Sequence, residues 1–276
     1  MSENWSDLRI SNDFLFGKVM RNQTVCKKLI ELILDIQIDH IEYPENQKVI
    51  DLTADARSIR LDVYVKDGQN TVYDIEMQAT DTKELPKRSR YYQDLIDLQL
   101  IEKGETYNKL NKSYVIFICL FDLFHLGRHK YSFTYQCLEH AGLELGDETT
   151  KIFLNASGTM DDVGPELRAF LDYVAGKEIS ETTTFVCDLE RLVASAKNND
   201  DWRLEYLTIE MRDRLNYERG VSQGIEQGIE QGIERGIEQN QRSVIFKAYQ
   251  KGYPIEEIAD LAGCDEATVL AVINSI

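Results

Sequence analysis

Two short runs decide how this chain folds: Ser58-Ile59-Arg60-Leu61-Asp62-Val63-Tyr64-Val65 and Thr71-Val72-Tyr73-Asp74-Ile75-Glu76-Met77-Gln78-Ala79. In the first, Ile59, Leu61, Val63 and Val65 alternate with Arg60, Asp62 and Tyr64, which is the period of a β-strand. In the second, Val72, Asp74, Glu76 and Gln78 fall on one face and Tyr73, Ile75 and Met77 on the other. The stretch between them, Lys66-Asp67-Gly68-Gln69-Asn70, reads as a turn because Gly and Asn tolerate positive φ. The pair predicts an antiparallel hairpin. Opposed residues of such a hairpin share a face, and a loop from Asp67 to Thr71 sets Asp62 opposite Glu76. Two carboxylates converging from adjacent strands offer the hard oxygen ligands of a Mg²⁺ site, with water and a substrate phosphate filling the rest. Such an ion stabilises charge on a scissile phosphate and generates hydroxide. Both carboxylates are expected on the polar face of their strands, outside the core. On these residues alone, an Asp and a Glu on a hairpin's solvent face are more often simply solvated.

Outward from the hairpin, the chain reads as mixed α/β. Asp13 to Leu34 predicts two helices, with Leu29, Ile30, Ile33 and Leu34 marking a buried face. Ile41 to Leu52 reads as extended. Pro86 opens a helix from about Lys87 to Glu102, since Pro suits a first helical turn. Ser113 to Phe121 is nearly all apolar, as in a strand buried on both faces. Tyr131 to Cys137 predicts a further strand, and Leu167 to Ala175 and Leu189 to Ala196 predict helices. This order implies a mixed sheet with helices on its faces.

The chain has 276 residues, 43% of them hydrophobic, enough for an ordinary core. Its 31 basic and 48 acidic residues leave a formal charge of −17, which excludes nucleic-acid binding through bulk charge. Any such role needs a local basic surface or metal ions. The five cysteines form no C-x-x-C pair, so a reducing cytoplasm is the expected compartment. Met1 to Ile10 lacks a signal pattern, and the longest apolar run, Tyr114 to Phe121, is far short of the ~20 residues that span a bilayer. A soluble protein without a membrane partner is expected.

Around the hairpin a resemblance takes shape. Arg60-Leu61-Asp62-Val63, a short turn, and Asp74-Ile75-Glu76-Met77-Gln78 resemble the core of a PD-(D/E)XK nuclease in its E-x-Q form. The stretch that follows holds Arg88, Tyr91-Tyr92, Gln99-Leu100, Lys103-Gly104-Glu105, Tyr107 and Leu110, and leads into Ser113 to Cys119. That order, the opening Asn12-Asp13-Phe14-Leu15-Phe16-Gly17-Lys18 and the C-terminal Gly-x-Glu-Gln run resemble the Rpn family of recombination-promoting nucleases, also described as transposases. The resemblance covers roughly residues 10–140, the repeat and the tail. It implies a restriction-endonuclease-like α/β fold, a mixed sheet flanked by helices, with a helical C-terminal extension. It also implies metal-dependent cleavage of DNA and a link to recombination of mobile elements. Carried onto this chain, Asp62 and Glu76 hold Mg²⁺ or another divalent cation, and Gln78 positions the water. Leu61 stands where the motif's name has Pro, a loose position. Gln78 stands where the usual motif has Lys, so an uncharged amide replaces an ammonium.

The helix after the hairpin gives independent support. Arg88, Tyr92, Ile96, Gln99 and Lys103 share a face at i, i+4, i+8, i+11 and i+15. Residues 83–90 hold Lys83, Lys87, Arg88 and Arg90 against Glu84, a local excess of three positive charges. Arg88, Tyr92 and Gln99 are therefore candidate substrate-binding residues, with phosphate contact as their role; a solvated helix start with Arg88 paired to a carboxylate is the alternative. Asp13 is either an N-cap or a further ligand. His125 and His129 have the i,i+4 spacing of a zinc pair but lack the Glu of H-E-x-x-H.

Three segments are expected: a nuclease-like domain with a helical extension over 1–200, a helical segment with the repeat over 201–242, and a small helix-turn-helix-like bundle over 243–276. Gly220, Gly224, Gly228, Gly232 and Gly236 recur every four residues. Five interior glycines weaken a helix by roughly 4–5 kcal/mol against alanine, and Glu226, Glu230 and Glu234 repel at i,i+4. The segment is either a flexible linker or a helix held by association of Ile225, Ile229, Ile233 and Ile237 with another chain. The second option predicts a homo-oligomer through residues 220–239. In residues 244–276 two lysines face five acids, so the bundle is expected to dock or dimerise rather than read DNA. The function expected is a Mg-dependent deoxyribonuclease of the endonuclease type. The alternative is a DNA-binding or partner-recruiting protein on a nuclease fold with little turnover.

Overall fold

The computed structural model describes residues 4–43, 49–50, 59–101, 104–178 and 183–275. In chain order the elements are α1 (Asp13–Val19), α2 (Gln23–Leu34), β1 (Ile41–Glu42), β2 (Val49–Ile50), β3 (Ile59–Arg60), β4 (Val63–Asp67), β5 (Val72–Gln78) and α3 (Leu85–Leu100). Then come β6 (Ser113–Cys119), β7 (Lys130–Phe133), β8 (Thr149–Asn155), α4 (Pro165–Ala175), α5 (Thr184–Lys197), α6 (Asp200–Gln250), α7 (Ile255–Ala262) and α8 (Glu266–Ile273). The rest of the extended run expected over Ile41 to Leu52 lies outside the described residues, as does Lys103.

Six strands form one mixed sheet in the order β1-β4-β5-β6-β8-β7. β4 and β5 pair antiparallel with Val63 opposite Ile75 and Tyr64 opposite Asp74, the register expected from the loop length. β5 pairs parallel with β6, and β6 with β8, while β7 runs antiparallel at the edge. The parallel β5–β6 pair needs a crossover, and α3 supplies it. β8 escaped the sequence reading although it sits between β6 and β7. Its Thr-Thr-Lys start resembles a polar loop, and only Ile152, Phe153 and Leu154 mark it as buried.

Two differences matter for function. The alternating run Ser58 to Val65 is not one strand. It breaks at Leu61–Asp62 into β3, which pairs with β2 in a small separate sheet, and β4. Leu61 joins the cluster under α3 with Leu85, Tyr92 and Phe117. The second difference is that the face carrying Asp74 and Glu76 is not a solvent face. α3 covers it with Leu85, Tyr92, Leu95 and Ile96, and Asp74 and Glu76 are 0% and 2% exposed. The alternate set, including Val63, Val65, Tyr73, Ile75, Ile116 and Ile118, is buried as well. A parallel centre with both faces covered is the usual state of such sheets. The alternation of acid with apolar residue marked β5 correctly as a strand but could not show that both sides are roofed.

The chain divides into two compact units, Met1–Tyr206 and Leu207–Ile276. In the first, α1 packs against β5 and α5, and α4 against α2 and α5. Asn12, not Asp13, caps α1: its side chain accepts the Leu15 N–H, while Asp13 accepts that of Phe14 at 2.7 Å. The second unit holds a small core of Ile245, Ala248, Ile258, Ala259 and Val269, where α7 and α8 pack with the end of α6. Asp265 caps α8, accepting the Thr268 N–H at 2.8 Å. The repeat is continuous α-helix within α6, and Ile225, Ile229, Ile233 and Ile237 are 55–59% exposed along it. No described helix is long and apolar enough to cross a membrane.

Candidate active site

At the break between β3 and β4, side chains replace the missing ladder bonds. The Asp62 N–H donates to Glu76 Oε1 at 2.9 Å, and the Met77 N–H donates to Asp62 Oδ2 at 2.9 Å. Each carboxylate is thus fixed by the other strand's backbone. These charge-assisted bonds are roughly twice as strong as neutral ones. They explain why the strand can break here without leaving buried amides unpaired.

α1 closes in from the other side. A Cβ on Gly17 would stand 3.1 Å from the Asp62 carbonyl oxygen, so any side chain there would push helix and Asp62 backbone apart by a few tenths of an ångström. Glycine within a helix is disfavoured by about 1 kcal/mol against alanine, and close approach is the return.

α3 adds a guanidinium. Arg88 donates from Nη1 to Gln78 Oε1 at 2.9 Å and from Nη2 to the Tyr92 hydroxyl at 2.6 Å. Its Nη2 is also 4.0 Å from Glu76 Oε2. Asp62, Glu76, Gln78, Arg88 and Tyr92 are therefore one connected cluster. Tyr92 is 4% exposed, and its hydroxyl accepts from the Arg88 guanidinium. Gln99 is not part of the cluster. It lies eleven residues along α3 from Arg88, about 16 Å at the helical rise, and its buried Oε1 has no hydrogen-bond partner.

Asp74 was not singled out from the sequence, although it shares the Glu76 face. It is wholly buried, and neither carboxyl oxygen has a hydrogen-bond donor within reach. Its carboxyl lies beside that of Glu76, where a bond between the two requires a proton on one of them. Burial, and then the Asp62 charge, push the Asp74 carboxyl well above the ordinary carboxylate range. Burial, and then the charges of Asp62 and Asp74, do the same to Glu76.

With all three acids ionised against one guanidinium, two negative charges would remain unbalanced in a desolvated space. An uncompensated buried ion is penalised by several kcal/mol. Protons or one divalent cation remove that penalty. Among the described residues, no three His, Cys, Asp or Glu side chains are already grouped as a metal cage. A Mg²⁺ site asks for less, one or two carboxylates with water and phosphate completing the shell. Asp62 and Glu76 fit that need. His125 and His129 do not form a zinc pair. His125 is exposed, and His129 is buried with Nδ1 2.9 Å from Asp162.

No curated protein and no solved structure matches this chain. Residues 11–160, which contain the whole carboxylate–guanidinium cluster, match the family model described as PD-(D/E)XK nuclease family transposase. More than half of the sequence lies in that match, and the chain belongs to that family.

Proposed function

We propose that this protein is a metal-dependent DNA endonuclease of the cytoplasm, hydrolysing phosphodiester bonds in recombination or mobile-element movement. The observation that carries the reading is the convergence of the Asp62 and Glu76 carboxylates, each held by the other strand's backbone beside Arg88, on a nuclease-family sheet. Asp62 and Glu76 are the residues that would hold Mg²⁺. Bound there, the ion would neutralise charge on the scissile phosphate and lower the pKa of an attacking water. The remaining work falls to the chain itself. The Met77 and Asp62 N–H groups fix the two carboxylates before substrate arrives. Gln78 spends its carbonyl oxygen on Arg88 and keeps an amide nitrogen with two donors for water. Arg88 brings a permanent positive charge beside the position where the usual motif has lysine, and so offsets the neutral Gln78. About 30% of its side chain is exposed, which leaves it accessible to a phosphate oxygen.

The rival reading is a DNA-binding or partner-recruiting protein on a nuclease fold with little turnover, favoured by the Gln78 carbonyl oxygen being taken up by Arg88 instead of by water. Plasmid cleavage with Mg²⁺ against EDTA, wild type beside Asp62→Asn, separates the two. Mg²⁺-dependent nicking that disappears in the variant is expected. Binding without cleavage by the wild type would leave the rival in place.

The exposed isoleucines of the repeat support self-association as part of the same function. Two helices packing i±4 ridges cross at about −50°, which covers a few residues on each. Each isoleucine fully covered contributes on the order of 1.5–3 kcal/mol, so two or three outweigh much of the glycine penalty. A homo-oligomer through residues 220–239 would pair two nuclease domains for cutting both strands.

A further inference from the structure

A cleft of about 350 Å³ opens beside the start of α3. Four aromatic rings line it, those of Phe124, Phe133, Tyr135 and Phe153, together with Arg90 and Lys151. Phe153 is 4% exposed and forms the floor, while Phe133 and Tyr135 are 43% and 50% exposed. Phe124 meets the edge-on Phe153 at 5.5 Å and Phe133 at 5.1 Å, so the rings support one another. Lys151 is nearly buried, with Nζ 5.0 Å above the Tyr135 ring and 3.0 Å from the Thr149 hydroxyl.

The position of the cleft ties it to the candidate active site. Glu76 is in register with Phe117 on β6, and Phe117 with Phe153 on β8. Phe153 therefore lies two strands from Glu76 on the face under α3, about 10 Å at the usual strand spacing. The rings are continuous across that gap. Phe117 stacks on Phe153 at 5.4 Å and has the Arg88 guanidinium 5.9 Å from its ring centroid. Ten ångströms is about three rises along one DNA strand.

The lining also has an unusual charge. The chain as a whole is at −17, yet no carboxylate lines this cleft among the described residues and two cations do. An apolar peptide would use the rings but has no need of both cations. A nucleobase uses both: its π-face stacks on aromatic side chains, and its carbonyl and ring-nitrogen acceptors, or the adjoining phosphate, take donors from Lys and Arg. We propose that this cleft is a base-binding subsite, which receives one unstacked nucleobase of the DNA strand within a few nucleotides of the cut. Phe133 and Tyr135 stack on the base, and Lys151 and Arg90 bind its polar edge or the adjoining phosphate. This inference rests on the nuclease reading above.

The test is a cycle between protein and DNA. Full-length protein is titrated, with EDTA and with Mg²⁺, against oligonucleotides that are intact or carry one abasic site moved through the positions around the cut. Phe133 and Tyr135 are exposed, so Phe133→Ala and Tyr135→Ala are expected to melt near the wild-type temperature. Each should weaken binding of intact DNA about tenfold, the order of one base–aromatic stack. At one abasic position the variants should cause no further loss, and Tyr135→Phe should restore the wild-type pattern. Equal weakening of intact and abasic DNA at every position, or no weakening of either, overturns the subsite and leaves the nuclease reading standing. A wild type that binds no oligonucleotide under either condition overturns the DNA reading, and the subsite with it.

Discussion

Asp62 and Glu76 are bound to each other through the backbone as well as through a shared position. The N–H of Asp62 sits 2.9 Å from Glu76 Oε1, and the peptide after Glu76, at Met77, returns the same length of bond to Asp62 Oδ2. Removing either carboxylate leaves an N–H of the other strand without its acceptor. The pair behaves as one unit.

Asp62→Asn and Glu76→Gln are each expected to reduce Mg²⁺-dependent plasmid cleavage to background while the protein still folds. Glu76→Ala should behave differently from Glu76→Gln. It empties a site under α3 and leaves the Asp62 N–H without its acceptor, a loss of about 1–3 kcal/mol. Urea melts compare the two variants. Wild-type cleavage in either Asp62→Asn or Glu76→Gln would remove these residues from the metal site.

Burial and the neighbouring Asp62 charge raise Asp74 and Glu76 above the usual carboxylate range. The folded protein then binds more protons than the unfolded chain between the ordinary and the raised values. Stability in EDTA should fall as pH rises through that window, opposite to the usual salt-bridged carboxylate. Asp74→Asn with Glu76→Gln should flatten the dependence. Mg²⁺ should tighten as pH rises, since its binding expels protons. Urea midpoints from pH 5 to 8 and Mg²⁺ titration by calorimetry read both effects.

Viewed from sequence alone, Gln78→Lys restores the usual motif and is expected to be tolerated. The bond from Arg88 to Gln78 Oε1 changes that expectation. A lysine there offers no acceptor and sets an ammonium against the guanidinium. Gln78→Lys should lower kcat/KM about tenfold or more, and adding Arg88→Gln should recover part of the loss. A single variant as active as wild type would show that Arg88 contributes nothing through Gln78.

Gly17→Ala should gain up to about 1 kcal/mol of helix propensity, yet it forces a methyl to within 3.1 Å of the Asp62 carbonyl oxygen. The Asp62 backbone is pinned by Glu76, so α1 or the site must shift by a few tenths of an ångström. Cleavage is expected to drop severalfold with little change in melting temperature. Unchanged kinetics would mean that α1 yields and the approach is not critical.

Light scattering checks the repeat. The full chain is expected as a dimer or higher oligomer at tens of micromolar, and a chain ending near Arg219 as a monomer. A full-length monomer would leave the isoleucine stripe as an exposed helix face and remove the paired-domain reading.

Local chemistry made much of this protein legible in one dimension. Alternation marked β5, the five-residue loop set the β4–β5 register, and Pro86 announced α3. Asp62, Glu76 and Gln78 could be placed together because a strand's period is two and a hairpin's register follows its loop. What folding alone decided depends on residues far apart in sequence. α3 roofs the acidic face and turns expected surface carboxylates into buried ones, which draws Asp74 into the same cluster as Glu76 and raises the pKa of both. Arg88 reaches Gln78 only because the parallel β5–β6 crossover carries α3 back over the sheet, and the same geometry leaves Gln99 a helix-length away. β8 enters the centre of the sheet through pairing with β6 across an intervening edge strand, a long-range choice that no local pattern encodes. Sequence specifies the elements through short-range sterics and periodicity; desolvation, which sets the charge state of the site, exists only once those elements are packed.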